Sequence, residues 1–294
     1  MSTGAPPGVT DPFEAERPRL VGLAYRMLGT VADAEDVAQD AWLRWQAADH
    51  DQIERPEAWL TTVTTRIALD HIRSAGRRRE AYVGPWLPEP LVSEPGPDDA
   101  AVLADSLRLG FLTVLDRLQP VERAVFLLAD VFSVPFSEIS DAVGRSAPAC
   151  RQIASRARRK VRQPVAERDL GSEQAVVEAV TAAIGLGDID LVMEYLAPGV
   201  VCVSDGGATR RAARRPVVGA RRVARMLVNL THRFTGQLAI RSALVNGDVG
   251  VVISVDGTVD LVTAFEVHDG RVTAIRIVRN PDKLTHIDCP VDLT

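Results

Sequence analysis

The chain has 294 residues, 46% of them apolar and 25% charged, and a formal net charge of −5. This composition is typical of a soluble globular protein, while the length excludes one small bundle and predicts two or three domains. The three cysteines, Cys150, Cys202 and Cys289, lack the spacing of a disulfide framework or a metal site, which favours a reducing cytoplasm.

The first eleven residues form a proline-containing leader that we expect to be disordered. They include no apolar core segment, so we expect neither a signal peptide nor an anchor, and no later run is long enough to span a bilayer. After Pro12, apolar residues recur at steps of three and four as far as Leu28, before Gly29. This spacing predicts a first helix that ends at the glycine.

A second helix, predicted over residues 33–46, has two distinct sides. Its buried side carries Val37, Ala41 and, of the two tryptophans, most simply Trp45. The other side offers three acids at helical spacing and a tryptophan as a docking surface for a protein: Asp33, Asp36, Asp40 and Trp42. The helix dipole also favours acids in a first turn, which accounts for Asp33 and Asp36 but poorly for Asp40.

A third helix is predicted after Pro56, and it is basic on one face. The residues that can pack inward are Trp59, Val63, Ile67 and Ile72. Four charged residues lie on one face of this helix, at steps of 4, 3 and 4: Arg66, Asp70, Arg73 and Arg77. Arg78 and Arg79 follow them directly. A basic helix near an aromatic, threonine-rich turn can grip separated DNA strands.

Residues 81–99 read as a linker, because five prolines and two glycines forbid a helix and favour an extended path. Helices resume near Ala100, and Pro120 begins one of them. Together with the residues up to 165 they predict a second compact helical domain.

That domain ends in a predicted helix-turn-helix over residues 136–162. Gly144 ends its first helix, Ser146 caps the second, and Pro148 falls in the first turn. The second helix buries Cys150, Ala154, Ala157 and Val161 at helical spacing. The DNA-contact candidates are the cap and the polar residues of the opposite face: Ser146, Arg151, Gln152, Ser155, Arg156, Arg158 and Arg159.

The charge of this segment distinguishes two interpretations. Between Arg145 and Arg168 there are seven arginines, one lysine and one glutamate. A merely solvated basic helix usually mixes both signs, so the concentration of one sign favours an anionic partner, and with the helix spacing it predicts contact with DNA.

After Pro164 the pattern changes to an α+β domain. Helices are predicted from the cap Ser172 to Ile184 and from Asp188 to Leu196. Apolar β segments follow at 200–204, 236–245, 250–255, 258–267 and 271–278. Three links carry turn dipeptides: Asn246-Gly247, Asp256-Gly257 and Asp269-Gly270. We therefore predict an antiparallel meander, with helices on one face, that curves around a pocket.

Three motifs, in order, resemble the two conserved domains of the extracytoplasmic-function bacterial sigma factors: DAEDVAQDAWLRW, ALDHIRSAGRRR and the helix-turn-helix. The resemblance covers residues 11–165 and implies core RNA polymerase and promoter DNA as partners. It implies that the acidic helix binds the β′ clamp coiled coil, with the β subunit as a further contact. It implies that the next helix recognises and opens the −10 element and that the recognition helix reads the −35 element.

The rest resembles the SnoaL-like cone that one subgroup of this family carries, and two strings support that subgroup: YVGPWLPEPL at 82–91 and NPDKL at 280–284. In that subgroup the extension regulates the sigma factor in cis and carries a DGGGK motif. The corresponding stretch begins Asp205-Gly206-Gly207, but Ala208 replaces the third glycine and the basic residue is displaced. The resemblance implies regulatory roles for Asp205, Gly206, Gly207, Asn280, Pro281, Asp282, Lys283 and Leu284.

From the residues we expect the tail to dock on a neighbouring segment, either the sigma-like helices or the linker beside Trp86. We also expect deletion of residues 280–294 to leave the cone folded. The boundaries predicted for the domains are 11–80, 81–99 for the linker, 100–165 and 172–294.

The sequence also bears on two other functions. Cone folds include isomerases with Asp/His pairs, but His232, His268 and His286 form no such constellation, so we predict no enzyme, cofactor or metal. A small ligand in the cone stays open. The alternative to a sigma factor is a polymerase-independent DNA-binding regulator that senses such a ligand, which has no use for an acidic docking helix.

Overall fold

The computed structural model describes residues 11–80, 82–93, 107–161 and 168–287, with the side chains of 75–80 outside the description. The chain divides into two compact units. The helical unit contains the described residues up to 77 and those of 114–162. The sheet unit contains the described residues of 78–113 and 163–291. The linker is therefore grouped with the sheet.

The described residues up to 161 contain seven α-helices. They are α1 Pro12–Leu28, α2 Val31–Gln46, α3 Pro56–Glu80, α4 Leu109–Leu115, α5 Pro120–Phe126, α6 Phe136–Val143 and α7 Ala147–Val161. Asp11 caps α1 by accepting a hydrogen bond from the Phe13 amide, and Gly29 ends it in the left-handed region at φ 80°. Thr30 caps α2 in the same way through the Asp33 amide.

A buried arginine joins the ends of two helices. Arg123 of α5 donates to the carbonyl of Met27 (2.7 Å) and to that of Leu115 (3.0 Å), and it pairs with Asp116. Both carbonyls lie in last turns, where helices lack internal donors. Arg123 therefore satisfies groups that burial would otherwise leave costly.

The described residues of the sheet unit form a seven-stranded sheet in the order β1-β4-β5-β6-β7-β2-β3. The strands are β1 Val92–Ser93, β2 Leu196–Asp205, β3 Val217–Val218, β4 Leu238–Val245, β5 Asp248–Val255, β6 Thr258–His268 and β7 Arg271–Val278. The antiparallel meander is confirmed for β4 to β7. At all three predicted turns both central residues have positive φ, as two-residue hairpin turns require.

Three strand pairings differ from the predicted meander. β2 pairs with β7 in parallel, so the purely antiparallel sheet is wrong for this pair, and β3, which was not predicted, pairs with β2 at the edge. At the other edge, β1 of the linker pairs with β4. The segment that sequence assigned to an extended path thus contributes a short strand.

Helices cover one face of the sheet, as predicted: α8 Leu170–Leu186, α9 Ile189–Tyr195 and α10 Ala220–Thr231. The sequence analysis gave bounds for the first two of them only. The predicted cap of α8 is wrong, because the helix begins two residues before Ser172. Asp169 is the cap and accepts a hydrogen bond from the Gly171 amide at 3.1 Å. An aspartate caps a helix as well as a serine does, so the earlier residue takes the role.

The opposite face of the sheet is covered by the linker, α4 and the tail. Leu87, Leu109, Leu284 and Ile287 are buried there against Val245 and other strand residues. Deleting residues 280–294 therefore removes part of a hydrophobic core, so the expectation that the cone would stay folded without them is revised. No helix in the described ranges is long and apolar enough to cross a membrane.

Candidate functional site

The acidic edge of α2 faces solvent. Asp36, Asp40 and Trp42 are exposed, whereas Trp45 is buried and donates to the Asp11 carboxylate at 3.0 Å. Asp33 is half-buried and accepts from the Thr30 hydroxyl at 2.6 Å, so it belongs to the helix cap. Trp42 also lines a hollow of about 240 Å³. Two exposed carboxylates beside an exposed indole are suited to a basic protein surface.

The predicted charged face of α3 is exposed at Arg66, Asp70 and Arg73. Arg73 pairs with Asp70 at 2.9 Å, which leaves that pair locally neutral. Arg66 donates to the Asp141 carbonyl of α6 at 2.6 Å, so it contacts the first helix of the helix-turn-helix. The side chains of Arg77 and Arg78 lie outside the described residues.

All seven candidates on the helix-turn-helix are exposed, and Gly144 takes φ 65° at the turn as predicted. Arg158 pairs with Asp130 at 2.7 Å, and the Arg151 guanidinium lies 5.9 Å from the centre of the Phe136 ring. The other candidates are Ser146, Gln152, Ser155, Arg156 and Arg159. This face therefore presents guanidinium and amide donors, the groups that pair with guanine and adenine edges and with phosphates.

The structure brings the two C-terminal motifs and the linker together around one buried carboxylate. Asp205, at the end of β2, accepts four hydrogen bonds. The donors are the Tyr82 hydroxyl (2.6 Å), the Leu87 amide (2.9 Å), the Gly207 amide (3.0 Å) and the Lys283 ammonium (2.8 Å). Four donors fill the acceptor positions of a carboxylate, so the charge is fully compensated. We call these residues, with Trp86 and Asn280, the Asp205 cluster.

Lys283 is held by more than its ion pair. Its ammonium lies 4.1 Å from the centre of the Trp86 ring and also donates to the Leu87 carbonyl. Asn280 donates to the Tyr82 hydroxyl at 2.9 Å. Burial, and then the hydrogen bond to Asp205, raises the pKa of Tyr82, so its hydroxyl stays protonated and donates. The linker is thus tied to both motifs.

Neither glycine of the DGG stretch leaves room for a side chain, because other atoms lie close to its Cα. A Cβ at Gly206 would lie 2.3 Å from the Arg210 carbonyl oxygen, and one at Gly207, where φ is +60°, would lie 2.7 Å from the Asn280 side chain. Ala208 is exposed, so the missing third glycine leaves the cluster intact. Pro281 begins a short 3-10 turn, Asp282 is exposed, and Leu284 is buried.

Sequence reasoning did not assign a role to Tyr82, Glu89 or His286. One feature of the sequence could have indicated that Tyr82 has a role: it is an aromatic residue in a proline-rich linker, where no hydrophobic core is expected. The sequence places His286 in the tail, without a partner near it in the chain. It lies 2.9 Å from the Pro90 carbonyl and 2.6 Å from the Glu89 carboxylate, and so forms a second link between tail and linker.

The link through His286 is expected to weaken as pH rises. Burial alone lowers the pKa of His286, but the hydrogen bond and charge of Glu89 outweigh it and hold the pKa above its ordinary value. A raised folded pKa means stability that is fully present below the unfolded value of about 6.5 and lost as pH rises through the folded pKa. Unfolding midpoints should show this loss in the natural protein. The Glu89→Gln variant should show a flatter slope in the same window, and equal slopes would contradict the assignment.

Comparisons with known proteins cover both units. Family models match for Sigma-70 region 2 at residues 13–78 and for Sigma-70, region 4 at residues 108–161. The chain is 43% identical over 288 residues to the ECF RNA polymerase sigma factor SigJ of Mycobacterium tuberculosis, covering 93% of this chain and 92% of that protein. It is 35% identical over 283 residues to the probable ECF RNA polymerase sigma factor SigI of the same organism, covering 94% of each.

A solved structure extends this similarity to the fold. The crystal structure of the Mycobacterium tuberculosis extracytoplasmic function sigma factor SigJ matches with a TM-score of 0.75 and 40% identity, covering 93% of this chain and 97% of that one. The resemblance drawn from the three sequence motifs is thereby confirmed. Since the similarity continues through both helical regions into the sheet unit, the chain belongs to the extracytoplasmic-function sigma factors.

Proposed function

We propose that this chain directs core RNA polymerase to specific promoters and that its sheet unit regulates this activity in cis. The observation that carries the proposal is the order of three exposed surfaces in a family member: the acidic edge of α2, the charged face of α3 and the basic face of α7. An independent DNA-binding regulator needs only the last of them. The work of such a subunit, with core polymerase and promoter DNA, takes place in the cytoplasm.

Each surface has a proposed partner. Asp36, Asp40 and Trp42 bind the β′ clamp coiled coil of the polymerase. The −10 element contacts the charged face of α3, which carries Arg66, Asp70, Arg73, Arg77 and Arg78. To contact DNA, the Arg66 side chain must give up its hydrogen bond to the Asp141 carbonyl. The seven exposed candidates of the helix-turn-helix contact the −35 element.

The regulatory proposal rests on the Asp205 cluster. The linker joins the two DNA-reading regions along the chain, and the cluster fastens residues 82–87 to the sheet. A linker held in this way restricts the conformations that the two joined regions can adopt. The cluster therefore biases which of these conformations is populated. Asn280 and Lys283 act in it directly, and Leu284 anchors their turn in the core.

The function is tested by reconstitution with purified core polymerase and promoters selected from genomic fragments. We expect the full chain to co-purify with core enzyme and to start transcripts at a discrete set of promoters that core enzyme alone does not use. Binding to DNA without association with core enzyme would instead identify a polymerase-independent regulator and contradict the proposal.

Two arginines of α7 should distinguish base reading from phosphate contact. Arg156→Ala or Arg159→Ala should weaken −35 binding by roughly 1–3 kcal/mol if the arginine pairs with a base, and should relax the preference at that position. A phosphate contact should weaken all sequences equally and reduce the salt dependence. Footprinting across a set of −35 variants measures both.

The matched control is Arg117→Ala, an exposed arginine of the same unit that lies before α5. It removes the same charge and should leave the footprint unchanged. Footprints that respond equally to all three substitutions would remove α7 from the DNA interface.

A further inference from the structure

The chain carries a long segment without acidic residues. Between Gly206 and Gly247 the sequence has nine arginines and no aspartate or glutamate, although the whole chain has a net charge of −5. The sequence analysis used the glycines and the β segment of this stretch but not its charge. In the structure it runs from the turn after β2 through α10 to the end of β4, all within the sheet unit.

Much of this charge surrounds one cavity of about 790 Å³. The walls are the loop 207–214, one side of α10 and the end of β7, with Val83 and Gly84 of the linker. The α10 residues that line it follow steps of three and one, as one helical face does: Arg222, Arg225, Met226, Asn229 and Leu230. Arg233, just after the end of the helix, lines the cavity as well. The remaining α10 core residues face the sheet, so the helix has one buried stripe and one cavity stripe.

The arginines of the cavity fall into two groups. Arg279 pairs with Asp260 at 2.7 Å, and Arg210 lies 3.5 Å from the same carboxylate, so these two arginines share one negative charge. Five others have no ion-pair partner in the part of the chain that the structure describes: Arg211, Arg214, Arg222, Arg225 and Arg233. The cavity therefore has a large excess of positive charge.

The rest of the lining is apolar or neutral. Met226, Leu230 and Ile277 provide apolar surface, and Asn229 provides an amide. Of the described residues, none that lines the cavity is a carboxylate, an imidazole or a thiol. Guanidinium groups stay protonated, so this lining can bind an anion but offers no proton acceptor for catalysis.

From this arrangement we propose that the cavity binds a compact organic anion, with an apolar body and at least one carboxylate, phosphate or sulfonate group. The volume lies within the range of small-molecule sites, roughly 300–1,000 Å³. Fork-shaped guanidinium groups bind such anions bidentately. A convex DNA backbone binds to a charged surface and does not enter an apolar recess, so the apolar lining favours a small molecule over DNA. The proposal does not depend on promoter recognition, because it concerns binding to the sheet unit alone.

Two related fluorescent probes isolate the contribution of charge. 1-Anilinonaphthalene-8-sulfonate (ANS) and N-phenyl-1-naphthylamine (NPN) share one aromatic body, and only ANS carries a sulfonate. We expect the full-length chain to bind one ANS saturably and at least about tenfold more tightly than NPN, since a hydrogen bond to a charged group contributes that much.

Variants then locate the probe. Arg222→Gln/Arg225→Gln should weaken ANS binding about tenfold or more and leave NPN binding unchanged. The control, Arg215→Gln/Arg221→Gln, removes two exposed arginines of the same segment that do not line the cavity, and should leave both unchanged. Thermal unfolding checks that both variants keep their fold.

Several results would overturn the proposal. Equal affinities for ANS and NPN would show an apolar site without anion recognition. An equal loss of ANS binding in both double variants would show diffuse surface charge rather than a site. Stoichiometric displacement of ANS from the cavity by a DNA duplex of unrelated sequence would make the surface a nucleic-acid contact.

Discussion

The double variant Asp36→Lys/Asp40→Lys is expected to lose association with core polymerase while keeping its fold. Both carboxylates are exposed on α2, so the substitutions bury nothing and break no ion pair in the described part of the chain. A like-charge contact at an interface costs several kcal/mol, and about 1.4 kcal/mol is a factor of ten. Two reversals should thus weaken binding roughly hundredfold or more. Co-purification and titration with core enzyme at fixed salt measure the effect.

The matched control reverses two exposed acids of the neighbouring segment, Asp51→Lys/Glu54→Lys, and gives the same change of net charge. It should retain binding within a few-fold, because neither residue belongs to the acidic edge of α2. If the two double variants bound core enzyme equally well, the docking surface would have to lie elsewhere. Asp33 is a poor choice for this test, since it is part of the helix cap.

Much of the fold could be predicted because its signals are local. Cap residues and glycines place the ends of α1, α2 and α6, and the turn dipeptides place three hairpins, since positive φ favours asparagine, aspartate and glycine there. The buried stripe of α2 follows from helical spacing alone. In each case the residues that decide the structure lie within about four positions of one another.

The missed features depend on partners far apart in the sequence. β2 is apolar along much of its length, and periodicity cannot tell whether such a strand pairs in parallel or antiparallel. Asp205 meets Tyr82 across 123 residues, and Arg66 meets Asp141 across 75. No local pattern encodes such contacts. The motif strings of the sigma-factor subgroup indicated which segments have a role in regulation. The hydrogen bonds that join these segments are visible only in the three-dimensional structure.

The arginine-lined cavity was missed for a different reason. Its residues come from four separate segments, and each arginine alone reads as an ordinary exposed side chain. The available signal was the absence of acids between Gly206 and Gly247, which is visible only when charge is counted by segment.

The largest effect on stability is expected at the Asp205 cluster. Asp205→Asn replaces a fully buried carboxylate with a neutral amide and leaves the buried Lys283 ammonium without its charged partner. Breaking a buried ion pair by removing one partner costs about 3–5 kcal/mol. Native-state hydrogen exchange should show that loss for amides of β2 and residues 82–87, which the cluster joins. The control Asp282→Asn changes an exposed carboxylate of the same turn and should stay within about 0.5 kcal/mol.

A second substitution separates the cost of an unpaired charge from the loss of packing. In Asp205→Asn/Lys283→Met both charges are gone, so the double variant should be destabilised by less than the sum of the two single changes, by about 1–3 kcal/mol. Additive costs would contradict direct coupling between the two residues. If the cluster regulates in cis, Asp205→Asn should also change transcription at equal protein abundance, whereas Glu194→Gln, which changes an exposed carboxylate of α9 outside the cluster, should not. Loss of linker protection with unchanged transcription would show that fastening the linker has no regulatory effect, while leaving the sigma-factor function intact.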